Sequence, residues 1–240
     1  MRNRFIYSIV GAAALALPLF LFAQAAPHTE RSKARPAPAS APDFSGVWFI
    51  DPYYQNILPK EDPPFRPEAA AIFNKTSYEK SHSDPDRGPD PAPRCLPPGV
   101  PRTGLQPFPW EVVMARDRVV IIYEYQSLVR QIFTDGRGHP KDLDPTYMGN
   151  SIGKWDGDTF VVDTIGLNGK TWLDPKGLPS SDALHVTERY HRLDHNNLEV
   201  SYTIDDPKTY TKPWTAKKHF VLKPDWQIKE YVCAENNLTH

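Results

Sequence analysis

An all-β fold, an antiparallel up-and-down barrel of about eight to ten strands, is what this sequence predicts. Three observations predict it. From Glu111 onward the chain is a succession of short runs rich in Val, Ile, Thr, Tyr and Phe. Turn residues bound each run, and no helical period separates one run from the next, which favours hairpin-connected antiparallel strands over crossovers. A sheet of that length exposes two edges unless it closes, and closure removes them.

The elements follow in order. "MRNR" is a basic start, "FIYSIVGAAALALPLFLF" is apolar, and "AQA" ends at Ala25. That pattern predicts a signal peptide over residues 1–25, cut near Ala25, and a periplasmic or secreted mature chain. A retained membrane anchor is the competing reading, because the apolar stretch is near the ~20 residues a span needs. Pro18 and the small residues at its end favour cleavage. Residues 26–42 have no apolar period and read as a disordered tether. A single barrel domain is expected over 43–240.

Within that domain "DFSGVWFI", from Asp43, is the first strand. Residues 66–81 form the one helix candidate, with Pro67 in its first turn and three successive alanines. Many of the 26 prolines fall in 82–110, which reads as an extended wrap. The remaining strands are "EVVMA", "RVVIIYEY", "LVRQIFT", "SIGKW", "TFVVDTI", "LHVTERYHRL", "LEVSYTID", "AKKHFVLK" and "QIKEYVC". Alternation is cleanest at Leu198, Val200, Tyr202 and Ile204.

The connections are unequal. Those at Arg116-Asp117, Gln126-Ser127, Asp156-Gly157, 194–197 and 224–227 are short, whereas 135–149, 166–183 and 206–214 are long. In a regular meander alternate connections lie at opposite ends, so the three long loops are expected together at one mouth. They carry Asp135, Arg137, His139, Asp142, Asp144, Tyr147, Trp172, Asp174, Asp182, Tyr210 and Trp214, with His185 just inside the next strand. Aromatic walls with a few polar groups are what a small-molecule pocket uses. The same residues also fit plain Asp-Pro turn chemistry, with Trp172 and Trp214 plugging the core.

Three charges sit within apolar strand faces: Arg130, Glu188 and Asp163. Such a charge must be paired, functional or turned to solvent. A structural bridge from Arg130 to Glu188 or Asp163 is one reading. A polar pocket floor is the other, with Glu188 or Asp163 as general base and Arg130 stabilising an anion. Candidate acid–base residues are therefore His139, Asp135, Arg137 and Glu188. Candidate ligand contacts are Arg130, Tyr147, Asp163, Trp172, His185, Tyr210 and Trp214.

Cys95 and Cys233 are the two cysteines. An exported chain favours a disulfide between them over two separate buried thiols. No cofactor is expected. His139 and His185 with nearby aspartates are conceivable metal ligands, but their spacing matches no metal motif. GxSxG, P-loop and GxGxxG patterns are absent, and a net charge of −1 gives no reason to expect nucleic acid as partner.

"SGVW", with Gly46 and Trp48 on the first strand, resembles the G-x-W start of lipocalins and the wider calycin group. The resemblance implies that Trp48 packs across a closed base with Arg130 or Arg118 stacked on it. A lipocalin's eight strands and C-terminal helix are not clearly matched. "PFPWEVV", "LVRQIFTDGRGHP", "MGNSIGKWDGDTFVVDTIGLN", "TWLDPKGLPSSDALHVTERY" and "DDPKTYTKPW", within 108–236, resemble segments of a family of exported bacterial proteins. That resemblance implies export and carries over no catalytic residue. Three functions stand open: a small-molecule binder, possession of acid–base catalysis in the same cup (hydrolysis, isomerisation or decarboxylation), and an envelope interaction protein without a ligand. The expected partner is a small organic ligand with aromatic character.

Overall fold

The computed structural model describes residues 42–54, 56–58, 62–75, 90 and 92–236. The expected signal peptide, nearly all of the tether and residues 76–81 of the helix candidate lie outside the described residues. The chain divides into two units, Met1–Arg31 and Ser32–His240, and the described residues all belong to the second.

Nine strands close into an all-β barrel. They are β1 (Gly46–Ile50), β2 (Trp110–Met114), β3 (Arg118–Tyr123), β4 (Val129–Phe133), β5 (Asn150–Asp156), β6 (Thr159–Ile165), β7 (His185–Arg192), β8 (Asn197–Asp205) and β9 (Trp214–Leu222). Each pairs with the next, and β9 pairs back onto β1 through Trp48↔Leu222 and Ile50↔Phe220. "QIKEYVC" forms no tenth strand. The segment runs irregularly into α2 (Cys233–Asn236).

Eight of the nine pairings are antiparallel, and β4–β5 is parallel. Closure requires this. Around a ring, strand direction must return to where it began, so the number of reversals is even; an odd ring needs at least one parallel step. A parallel pair cannot be joined by a hairpin and needs a connection of a dozen or more residues. The segment 134–149 is that connection.

Strand direction then assigns the ends. The connections after β1, β3, β6 and β8 leave from one end, the mouth. Those between β2 and β3, β5 and β6, and β7 and β8 lie at the base. This corrects the expectation of three long loops leaving one mouth. Loops 166–184 and 206–213 share it, but 134–149 starts at the base-directed end of β4 and runs back to the start of β5. The tight turn at Gln126-Ser127, expected at the base, is at the mouth, with left-handed φ of 56° and 51°.

Alternation fills the barrel. Trp48, Ile50, Val112, Ile121, Ile132, Phe160, Val162, Val186, Leu198, Val200, Ile204 and Phe220 are all buried on the inner face. Trp48 donates its indole N–H to the Phe44 carbonyl (2.9 Å). The cation over its ring is Arg192, 5.5 Å from the centroid, in place of the expected Arg130 or Arg118. Arg118 faces outward, bonds Asp117 and lies 5.2 Å from the Phe133 centroid. At Gly153 on β5 a Cβ would stand 2.4 Å from Phe160 Cζ. The missing side chain is what lets Phe160 lie under β5.

Outside the barrel, α1 (Pro67–Lys75) docks near the mouth. Phe73 stacks on Phe65 (5.1 Å), Phe65 meets Tyr210 (5.6 Å), and Arg66 N–H donates to Thr209 O (2.9 Å). A disulfide joins Cys95 to Cys233 across 138 residues. Among the described residues no helix is long and apolar enough to cross a membrane.

Two outcomes are expected. Replacing both cysteines with serine lowers unfolding stability in urea by up to about 5 kcal/mol, the loop-closure value for a ring this long; an unchanged midpoint contradicts it. Gly153→Ala costs about 1–3 kcal/mol by overpacking, read in the same titration.

Candidate functional site

The candidate residues fall into three separate places. The first is the barrel interior. Arg130 on β4 and Glu188 on β7 point inward and are 3% and 2% exposed. Their side chains pair twice: Nη1 to Oε1 at 3.1 Å, and Nη2 to Oε2. Arg130 Nε donates to Ser151 Oγ (3.1 Å) and Nη2 to Thr164 Oγ1 (2.8 Å). Tyr190 Oη–H donates to Glu188 Oε1 (2.9 Å). Burial works against the Arg130 charge, but Glu188 beside it holds the guanidinium protonated, well above its ordinary range. Burial, with the Glu188 charge, also pushes the Tyr190 phenol well up. The bridge reading of Arg130 with Glu188 is therefore what the interior contains. Asp163 takes no part in it, because register places Val162 with Glu188 and Asp163 with Thr187, on the opposite face.

The second place is the outer face of β6. Asp163 accepts from two histidines: His139 Nε2 at 3.1 Å, from the 134–149 loop, and His185 Nε2, at the start of β7. His139 Nδ1 meets Asn150 Oδ1 at 2.7 Å. Both nitrogens of His139 are thus engaged. His185 is different: Asp163 holds Nε2, no described residue bonds Nδ1, and the side chain is 41% exposed. A carboxylate that fixes one ring nitrogen and leaves the other open is the arrangement that orients a histidine base. Partial burial pushes the Asp163 carboxyl up, but bonds from His185 and then His139 more than offset it, leaving its pKa below the ordinary value. Asp135 and Arg137 form their own exposed pair further along the loop (Nε–Oδ1 2.8 Å), with Arg137 4.0 Å from the Phe133 centroid.

The third place is a cleft of about 530 Å³ on the outer side of the mouth. Tyr147 from the 134–149 loop, Gly169, Lys170, Thr171, Trp172, Pro179 and Ser180 from the 166–184 loop, Ile72 of α1, and Arg94 and Leu96 line it. Two expected contacts, Tyr147 and Trp172, are here. Two others, Tyr210 and Trp214, are buried beside each other (5.5 Å), and Tyr210 Oη–H donates to Pro179 O (2.8 Å). They brace the cleft's back wall and do not line it. Burial, then the Asp206 and Asp174 charges, raise the Tyr210 phenol pKa.

Sequence reasoning missed what holds these loops. Asp206, fully buried, accepts from Ser181 N (2.6 Å), Ser181 Oγ (2.6 Å) and Thr209 Oγ1 (2.8 Å), stapling one mouth loop to the other. Asp90 pairs twice with buried Arg102 (2.7 and 3.0 Å) and fixes the proline-rich wrap. Each reads in sequence as an ordinary turn or loop charge. Among the described residues no group of three or more His, Cys, Asp or Glu could hold a metal ion.

Removing one interior partner strands a buried charge. Arg130→Met or Glu188→Leu alone is expected to cost about 3–5 kcal/mol, while the double variant recovers most of that. Equal losses in single and double variants contradict the pairing. For Asp163, a depressed folded pKa means stabilisation that is present above the unfolded value and lost as pH falls through the folded one. Asp163→Asn is therefore expected to be less stable than the parent at pH 7, with the gap closing below about pH 4; a gap independent of pH contradicts it.

No protein-family model and no curated protein matches this chain. Among solved structures, a mutant of the fluorescent protein UnaG is similar, with 11% identity and a TM-score of 0.36, over 75% of this chain and 96% of that one.

Proposed function

We propose that this is an exported small-molecule-binding protein whose ligand lies in the cleft beside the barrel mouth, and that the barrel itself is the scaffold. The observation that carries the reading is the cleft: about 530 Å³, with Tyr147 and Trp172 on its walls. That volume is within the range of small-molecule sites. Its lining is aromatic and aliphatic at Tyr147, Trp172, Leu96 and Ile72, and it carries the exposed cation Lys170 with no acidic side chain among the described lining residues. The complementary ligand is a flat, partly aromatic organic anion. Thr171 and Ser180 add hydroxyls that can fix its orientation. Export, cleavage near Ala25 and a periplasmic or secreted location belong to the same reading and rest on the N-terminal sequence.

A catalytic reading has one specific observation in its favour, the oriented and exposed His185 against Asp163. It reassigns the candidate base from His139 and Glu188 to His185. Glu188 serves the interior, where both its oxygens are taken.

The probe for the cleft is 8-anilinonaphthalene-1-sulfonate, an aromatic sulfonate whose emission rises on binding. Saturable binding is expected, weakened about tenfold by Trp172→Ala, a loss of about 1.4 kcal/mol. Tyr147→Ala and Lys170→Glu, at more exposed positions, are expected to weaken it without changing the melting temperature. Absence of saturable binding, or affinity unchanged in all three variants, overturns the reading.

A further inference from the structure

The inner face of β9 carries a lysine. Trp214, Ala216, Lys218 and Phe220 alternate inward, and Lys218 pairs with the fully buried Val200 of β8. A lysine therefore stands in an otherwise apolar inward row. It is only half-buried, whereas Trp214, Ala216, Phe220 and Val200 are buried. The reason lies in the strand on its other side. The β1–β9 ladder stops at Ile50↔Phe220, and one last bond runs from Asp51 N to His219 O (3.0 Å). From Lys218 toward the mouth, β9 has β8 on one flank and, among the described residues, no strand on the other. Lys218 is the one member of this inner row that is partly exposed.

Polar atoms nearby lack well-formed hydrogen bonds. Asp174, fully buried, accepts at Oδ1 from Lys176 N (3.0 Å) and Leu178 N (3.3 Å); its Oδ2 makes no well-formed hydrogen bond to a described residue, although the Ile57 N–H also acts on the carboxylate. Trp214, on the same row as Lys218 and 7% exposed, has no well-formed hydrogen bond at Nε1–H, which acts weakly on the adjacent Tyr210 hydroxyl. Unsatisfied buried donors and acceptors are rare because each forfeits its hydration, and they mark places where a water or ligand belongs. Lys218 makes no ion pair with any described residue, although the Asp174 charge acts on it. Burial lowers its pKa, and Asp174 offsets only part of that. Burial also pushes the Asp174 carboxyl up, against the Leu178 and Lys176 N–H groups, the Arg102 charge and the Ile57 N–H.

We propose that Lys218 is the reactive amine of a carbonyl-capturing site inside the barrel mouth, where an aldehyde or unhindered ketone enters beside the end of β1 and condenses with Nζ. The lone pair of the neutral amine forms a C–N bond to the carbonyl carbon. The C=O π pair becomes a hydroxyl by taking a proton from the nitrogen. Loss of that hydroxyl with a second proton from nitrogen, as water, leaves a C=N double bond, with no change of oxidation state. A polar substituent on the ligand meets the Trp214 N–H and Asp174 Oδ2. A desolvated, unpaired lysine is the side chain that performs such chemistry at neutral pH. The site is separate from the outer cleft, and neither proposal needs the other.

Reductive trapping tests it. The purified protein is treated with benzaldehyde and sodium cyanoborohydride at pH 7, and modified lysines are located by peptide mass spectrometry over time. Lys218 is expected to be alkylated about tenfold faster than the outward-facing Lys217 and Lys212. Lys218→Arg keeps the charge and removes the nucleophile; it is expected to lose the fast phase and keep the parent's melting temperature. Alkylation of Lys218 no faster than of Lys217 and Lys212, or a fast phase that survives in Lys218→Arg, overturns the proposal.

Discussion

In a closed ring of strands, direction must return to its starting sense after one circuit, and nine strands cannot do this by reversals alone. One neighbouring pair has to run parallel, and here it is β4 with β5. Much of the functional surface depends on that single constraint. The chain leaving Phe133 must travel back before it can enter Asn150, and the loop it makes carries His139 to the outer face of β6 and Tyr147 to the cleft. An even barrel with a hairpin at this point would have neither. The long connection is a topological necessity first, and the candidate groups it carries stand on what necessity supplied.

The interior shows a second economy. Arg130 and Glu188 sit where a ligand-binding barrel would keep space, and they are bonded to each other and to Ser151, Thr164 and Tyr190. A buried ion pair of this kind adds little net stability over an apolar pair, since desolvation offsets most of the attraction. Breaking it by halves is costly, so it disfavours arrangements in which one partner is buried alone. With the middle of the barrel occupied in this way, the proposed small-molecule sites all lie at its margins: the outer cleft, the exposed Asp163–His185 pair, and the row at Lys218.

The strands were legible because β-branched and aromatic runs with period two survive in a barrel that has one dry and one wet face. Arg130 and Glu188 were legible as charges on apolar faces, with their mutual pairing among the readings. Asp163 was harder. Both faces of β6 are covered, the inner by the core and the outer by the returning loop, so Val161 and Val162 are buried alike and alternation names no inside. The parallel step could not be read, because the strand count was bounded only to a range and parity turns on a single strand. Lys218 was hidden by its neighbour: in "AKKHF" two adjacent lysines look like a solvated patch, although Ala216 and Phe220 fix one of them inward. Asp174 and Asp206, each before a proline, carry the ordinary signature of a turn. Their burial arises from contacts between loops far apart in sequence, which no local pattern encodes.

We infer that this barrel holds ligands at its mouth-side cleft and keeps its centre for structure. The most direct measurement is a set of intermolecular nuclear Overhauser contacts between bound 8-anilinonaphthalene-1-sulfonate and the isotope-labelled protein. Contacts from the probe to the rings of Tyr147 and Trp172 are the predicted result. Contacts instead to Tyr123, Tyr190 and Tyr202, whose rings surround the Arg130–Glu188 pair, would place the ligand in the barrel and contradict the account.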